Sequence, residues 1–175
     1  KMAFIQAGSS IKNREIVIAK MGETDGQVVA KIPDSNGLRL HNRMLPQISP
    51  QGNQVLYALR KSGNSNQKRG PEDEKLWIAG GNKGGARKIY AALRIWSAMW
   101  DPSGRFIAFT GRTEDATFLR VVEVATGAEH TISHPYTSKG MLIEDWSQDG
   151  RFIGLSVADF WWEYWAVQGL LEKEK

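Results

Sequence analysis

The sequence of 175 residues contains no cysteine. That absence excludes disulfide bridges, thiolate metal sites, iron–sulfur clusters and cysteine nucleophiles. It leaves the cellular compartment open, because a disulfide-free domain can function on either side of a membrane. A long apolar run is also missing. The longest stretch without a charged residue, 44–59, is interrupted by prolines and glutamines, so we expect no membrane-spanning segment.

An excess of one charge is lacking as well. The 23 lysines and arginines nearly balance the 19 aspartates and glutamates, and the two signs alternate along the chain. The resulting net charge of +4 does not by itself indicate a nucleic-acid partner, and we predict none.

Motifs that mark common catalytic and metal sites do not occur. The sequence has no Gly-x-Ser-x-Gly elbow, no phosphate-binding P-loop, no His-Glu-x-x-His and no EF-hand loop. His130 falls in a predicted outer strand, and neither His41 nor His134 has a second histidine or a carboxylate at ligand-like spacing. We therefore predict no metal and no cofactor, and we favour a non-catalytic protein over an enzyme.

The sequence does contain a repeated turn, in which an apolar residue precedes Ser or Asp and a glycine closes the turn before an apolar strand. The copies are Ile48-Ser49-Pro50-Gln51-Gly52, Trp100-Asp101-Pro102-Ser103-Gly104 and Trp146-Ser147-Gln148-Asp149-Gly150. Ser or Asp can bond the nearby backbone, proline presets φ, and glycine suits the fourth position. The three glycines lie 52 and 46 residues apart, which predicts a tandem repeat.

Each repeat also contains a strand, a glycine turn and a second strand, at residues 16–30, 76–90 and 121–132. With the strands on either side of the repeated turn, this gives four antiparallel strands in about 40–50 residues, which is typical of a β-propeller blade. We predict an all-β chain of about 3.5 to 4 blades. The predicted blades are 1–40, 41–92, 93–136 and 137–175 of a single partial propeller domain.

Two stretches resemble a known family. Residues 100–109, read from Trp100-Asp101-Pro102 to Ile107-Ala108-Phe109, and residues 76–81 resemble the TolB-type, WD-repeat-like β-propeller family. The resemblance extends over nearly the whole chain. It implies a propeller fold, a protein or peptide partner, and a periplasmic or extracellular bacterial setting.

The repeat count leaves three arrangements open. The chain is a piece of a ring of about six or seven blades, a strained ring of about four blades closed by its two ends, or an open arc completed by a second copy as a homodimer. We favour the first. An open arc would present unpaired strand edges, which favour dimerisation or aggregation.

Candidate binding residues lie in the loops that should share one rim of a propeller. The principal ones are His41, Arg43, Arg94, Arg112, His134 and Tyr136. We expect a basic rim that faces an acidic peptide or an anionic sugar, or else an ordinary solvated surface. Trp161 and Trp162 lie in the aromatic run 159–165. They predict either a stacking platform or a strand buried between blades.

The function favoured by these features is a non-catalytic scaffold that binds a protein or peptide partner through its loop rim. Two alternatives remain. One is the propeller domain of a prolyl-oligopeptidase-like serine hydrolase. The other is a metal-dependent lyase of the oligogalacturonate type, which the family resemblance connects with histidines that hold a divalent metal.

Overall fold

The structure is a computed structural model, and it describes residues 2–7, 13–19, 22, 26–33, 37–41, 44–62, 70–80, 85–136, 138–158 and 162–168. The chain divides into two compact units, residues 1–91 and residues 92–175. Within the described ranges there are fifteen strands and no helix. The prediction of an all-β chain is therefore confirmed for these ranges.

Unit 1 begins with a three-stranded antiparallel sheet in the order β1-β2-β3. Its strands are β1 (Met2–Ala7), β2 (Asn13–Ala19) and β3 (Gln27–Pro33). Ile16 and Val17 of the central strand are at most 1% exposed. The sheet therefore contributes its central strand to the core of unit 1.

The second sheet of unit 1 has a broken first strand. Its strands are β4 (Leu38–Leu40), β5 (Gln47–Ile48), β6 (Gln54–Lys61), β7 (Glu74–Gly80) and β8 (Ala86–Ala92). Both β4 and β5 pair with β6, with Leu40 opposite Leu59 and Gln47 opposite Leu56. Leu40 and Gln47 are seven residues apart in the sequence, whereas their partners in β6 are only three apart, so the first strand is interrupted. The sequence pattern did not predict this break.

Unit 2 contains a four-stranded sheet in the order β12-β11-β10-β9 and a three-stranded sheet in the order β13-β14-β15. The strands are β9 (Arg94–Trp100), β10 (Phe106–Arg112), β11 (Thr117–Glu123), β12 (Glu129–Ile132), β13 (Gly140–Trp146), β14 (Phe152–Ala158) and β15 (Trp162–Gln168). The first strand of each sheet is continuous apart from a bulge of one residue, at Trp96 in β9 and at Glu144 in β13.

The three repeated turns share one hydrogen-bond pattern. In each, the side chain at the first position accepts a hydrogen bond from the backbone N–H five residues later, and the glycine adopts a positive φ. The acceptors and donors are Ser49 and Gln54 at 3.2 Å, Asp101 and Phe106 at 2.7 Å, and Ser147 and Phe152 at 2.9 Å. The φ angles of Gly52, Gly104 and Gly150 are 70°, 70° and 73°. The sequence repeat is thus also a repeat of local geometry.

The second strand of each four- or five-stranded sheet is buried on both faces. Residues 55–59 of β6 and 107–111 of β10 are all buried. Such continuous burial indicates that apolar layers cover both faces of the strand. On the face of β10 that carries Ala108, the covering layer includes Met141 of β13 and Ile153 of β14.

Candidate functional site

Two arginines lie side by side at one end of unit 2. Arg94 begins β9, Arg112 ends β10, and the two residues are directly opposite each other in the antiparallel register. Both are exposed, and neither forms an ion pair with any residue in the described ranges. Since directly opposed residues have Cβ atoms about 4.5–5.5 Å apart, the two positive charges repel each other.

Gly111 sets the close approach of the two strands at this point. A Cβ atom at Gly111 would lie 2.2 Å from the backbone oxygen of Arg94 and 2.6 Å from the ring of Phe118. Only glycine allows β9 to pass this close, so Gly111 fixes the position of the arginine pair.

The loop between β12 and β13 is tied to the same end of the sheet. Thr117, which is opposite Arg112 on β11, donates its hydroxyl hydrogen to the backbone oxygen of Tyr136. The N–H of Tyr136 donates to Nδ1 of His134 at 3.2 Å. Four predicted site residues, Arg94, Arg112, His134 and Tyr136, therefore lie at one end of unit 2, and we call them the rim cluster.

His134 contributes little charge to the rim cluster at neutral pH. Partial burial lowers the pKa of its imidazole below the usual value, and a hydrogen bond with the Thr117 backbone acts in the opposite direction. Because Nδ1 accepts a hydrogen bond from Tyr136, the neutral imidazole fits this geometry. The positive charge at the rim therefore comes from Arg94, Arg112 and Lys139, whose ammonium lies 5.7 Å from the Tyr136 ring centroid.

Unit 1 has an equivalent pair of arginines. Arg39 of β4 is opposite Arg60 of β6, and Arg60 is opposite Glu74 of β7. This row places a carboxylate beside the two arginines. The row in unit 2 runs from Arg94 through Arg112 to Thr117 and has no acid in it.

His41 is buried in unit 1. It is 9% exposed, and its Nε2 lies 3.3 Å from Oε2 of Glu74, whose side chain is 3% exposed. Its backbone N–H donates to the carbonyl of Ala58 at 2.9 Å. These contacts anchor the start of the break in the first strand, so His41 supports the loop and is not a surface contact. Arg43 lies outside the described residues.

The aromatic run is only partly described. Trp161 lies outside the described residues. Trp162 begins β15 and pairs with Ala158 of β14, and its side chain also lies outside the description.

Sequence reasoning did not single out Thr117, Lys139 and Glu74. Thr117 and Lys139 join the rim through contacts with Tyr136, and Glu74 joins His41 from 33 residues away. Thr117 and Glu74 meet their partners across segments that are distant in the chain, and contacts of this kind leave no local pattern in a sequence. Their positions could have been found only by aligning the repeats strand by strand.

Within the described ranges, no group of three or more histidines and carboxylates is placed to hold a metal ion. The same part of the chain has no helix that is long and apolar enough to cross a membrane.

No protein-family model matches the chain, and no curated protein matches it. Solved structures do match. TolB from Acinetobacter baumannii aligns over 95% of this chain with a TM-score of 0.59 and 11% identity. A puromycin-hydrolyzing peptidase from Mycobacterium tuberculosis aligns over 97% with a TM-score of 0.62 and 17% identity. An acylaminoacyl peptidase from Pyrococcus horikoshii aligns over 98% with a TM-score of 0.57 and 17% identity.

The chain has the fold of part of a β-propeller. It spans 38% of the length of the TolB structure and 28% and 29% of the two peptidases. The prediction of propeller blades is therefore confirmed. Identities of 11–17% support the fold and not a shared activity.

Proposed function

We propose that this chain is a non-catalytic propeller scaffold that binds a protein or peptide partner at the rim cluster of unit 2. The observation that supports the proposal is the exposed, directly opposed pair Arg94 and Arg112. Opposed like charges weaken a sheet. A partner that brings negative charge to this end of the blade would remove the repulsion, which gives the pair a role in recognition.

The polar groups near the rim support binding over catalysis. The hydroxyls of Ser97 and Thr110 bond to each other at 2.8 Å. Thr110 also donates to the carbonyl of Met141 at 2.7 Å, and Ser97 accepts from the N–H of Ile143 at 2.8 Å. These hydroxyls connect the β9–β12 sheet to the edge of β13 and so have a structural role. A catalytic nucleophile needs a base within hydrogen-bond reach. The partners of these two hydroxyls are each other and two backbone groups, and none of these is such a base.

The setting and the assembly belong to the same proposal. The resemblance to the TolB-type family supports a periplasmic or extracellular bacterial location. We propose the blades 1–40, 41–92, 93–136 and 137–175 as parts of one larger propeller, with a homodimer as the alternative assembly.

A second candidate function is a propeller domain that accompanies a serine hydrolase. Two of the three similar structures described above are peptidases, which motivates this candidate. A hydrolase domain encoded in the same reading frame would support it. A reading frame that encodes only propeller repeats would exclude it.

Affinity capture tests the scaffold proposal. The immobilised chain and its Arg94→Ala/Arg112→Ala variant are exposed to an extract of the source organism. Retained proteins are then purified and their binding is measured by calorimetry. We expect one protein to bind the wild type and to lose at least about tenfold in affinity for the variant, because buried or desolvated charge contacts contribute that much.

The matched control removes two arginines from the other end of the same unit. Arg105 precedes β10 and is therefore about 20 Å from Arg112 along that strand. Arg151 precedes β14 in the same way. The variant Arg105→Ala/Arg151→Ala should retain the partner. Equal binding by both double variants would contradict a role for the rim cluster.

A further inference from the structure

We infer that Arg94 and Arg112 form a carboxylate-binding site that takes a short acidic segment of a peptide. This inference rests on the proposed function and names the chemistry of the partner. It follows from which of the five arginines of unit 2 have partners within the chain, from the lack of an open aromatic face at the rim, and from two nearby acidic residues.

The other three arginines of unit 2 are engaged within the chain. Arg105 pairs with Glu123 at 3.0 Å, and Arg120 pairs with Glu129 at 3.0 Å. The guanidinium of Arg151 lies 5.8 Å from the ring centroid of Phe152. Arg94 and Arg112 have no such partner within the described ranges, although they lie closest to a like charge.

The chemistry of two adjacent guanidinium groups selects the ligand. Each group presents N–H donors in a planar fork that fits the two oxygens of a carboxylate. Two forks at opposed positions can hold one carboxylate between them, or two consecutive acidic side chains. Because both arginines end or begin a paired strand, their backbone positions are fixed before the ligand arrives.

The surroundings favour a peptide over an anionic sugar. Sugar sites use open aromatic faces for stacking. Tyr136 is only partly exposed, and the Lys139 ammonium lies over its ring. Within the described ranges, no aromatic side chain of unit 2 is among the exposed large hydrophobic residues. Recognition here therefore depends on charge and hydrogen bonds.

Two acidic residues restrict the length of the ligand. Glu114 and Asp115 are exposed in the loop that follows Arg112, two and three residues beyond it. A long run of carboxylates in the ligand would extend over Glu114 and Asp115, and the negative charges of these two residues would repel it. We therefore expect a short acidic segment, and we expect neutralisation of Glu114 and Asp115 to strengthen binding.

A fluorescein-labelled hexaglutamate peptide serves as the probe, with hexaglutamine as the control peptide, in fluorescence anisotropy at an ionic strength of about 0.1 M, where the Debye length is about 10 Å. We expect hexaglutamate to bind the wild-type chain and hexaglutamine not to bind. Arg94→Ala/Arg112→Ala should reduce affinity by at least about tenfold, and Arg94→Lys/Arg112→Lys should reduce it less, because charge remains but the fork is lost. Added salt should weaken binding.

Two further variants check the assignment. The control Arg105→Ala/Arg151→Ala removes the same charge at the other end of the unit, and it should stay within about twofold of wild type because of screening over that distance. Glu114→Gln/Asp115→Asn should bind hexaglutamate more tightly. Thermal unfolding of every variant verifies that the fold is retained.

Three outcomes would overturn the inference. They are equal hexaglutamate binding by the two arginine double variants, no hexaglutamate binding by the folded wild type, and tighter binding of a galacturonate hexamer than of hexaglutamate. If a captured partner depends on the rim cluster but hexaglutamate does not bind, the acidic peptide is wrong and the scaffold function stands. If hexaglutamate binds at the arginines but no protein is captured, the scaffold function fails and the carboxylate site stands.

Discussion

At the end of β6, the arginine pair of unit 1 continues across the sheet to Glu74. At the end of β10, the pair of unit 2 continues to Thr117. The two units thus share the pair and differ in the residue on the third strand. Within one repeat, a single position on the third strand decides whether the row of side chains contains an acidic residue or leaves a net positive charge of two.

The two units also differ in their first strands. In unit 2, β9 passes β10 with one bulged residue, and Thr110 of β10 bonds across to the backbone of β13. At the equivalent position, β6 has Ala58, whose carbonyl accepts the N–H of His41 where the first strand breaks. A buried hydroxyl network stabilises one region, and a buried histidine–glutamate pair stabilises the other.

The largest expected loss of stability comes from changing the buried pair of His41 and Glu74 in unit 1. His41→Leu should lower the free energy of unfolding by about 3 kcal/mol, because it removes the imidazole that contacts the buried Glu74 carboxylate at 3.3 Å. Thr110→Val in unit 2 should cost only about 1–2 kcal/mol, since it removes neutral hydrogen bonds. Urea denaturation measures both. A larger loss for Thr110→Val would reverse the comparison.

Gly111→Ala should be the next most damaging change. The added Cβ meets the backbone oxygen of Arg94 at 2.2 Å, so β9 must move, at a cost of about 2–3 kcal/mol. Gly154 of β14 is the matched control. A Cβ there would have its nearest contact at 3.8 Å, and Gly154→Ala should change stability by less than about 1 kcal/mol. Similar losses at both positions in thermal unfolding would show that β9 does not need this close approach.

His134 gives a smaller, pH-dependent effect. Burial lowers its folded-state pKa below the unfolded value, so the unfolded chain binds the proton more readily. The stability that neutral His134 contributes is present above the unfolded pKa and is lost as the pH falls through it toward the folded pKa. Stability should therefore decline as the pH falls below about 6.5, the unfolded-state pKa of histidine, and His134→Gln should reduce the decline. An unchanged pH profile in this variant would assign the decline to other groups.

The smallest expected effect is a gain in stability, whereas the changes above cause losses. Arg112→Ala should raise the free energy of unfolding by about 0.5 kcal/mol, because it removes the repulsion with Arg94. Arg60→Ala should give no such gain, since its row also contains Glu74. Paired denaturant titrations of the two variants at low salt test this difference. A loss of stability in Arg112→Ala would show that the pair is already neutralised within the chain.

The blades could be predicted from the sequence because their signals are local. Asp101, Ser147 and the glycines that follow them each lie within five residues of the strand that they position. The break between β4 and β5 has no local signal of this kind, and the contact at its start joins His41 to Glu74 from 33 residues away.

The candidate site was predictable only in part, for the same reason. The strand order places Arg94, Arg112, His134 and Tyr136 in loops of one rim, and their role in binding stays a prediction. The register that places Arg94 opposite Arg112 was not predicted. It depends on a bulge at Trp96 and on the lack of space at Gly111, which are tertiary effects.

The repeated turns have a consequence for the order of events during folding. Each closes over only five residues, so Asp101 and Ser147 can find their backbone donors on the sub-microsecond timescale of short-loop closure. The alignment of β9 with β10, and of β13 with β14, is then decided before distant strands meet. We expect the amide hydrogens of Phe106 and Phe152 to become protected from solvent exchange early in refolding, ahead of those that link separate sheets.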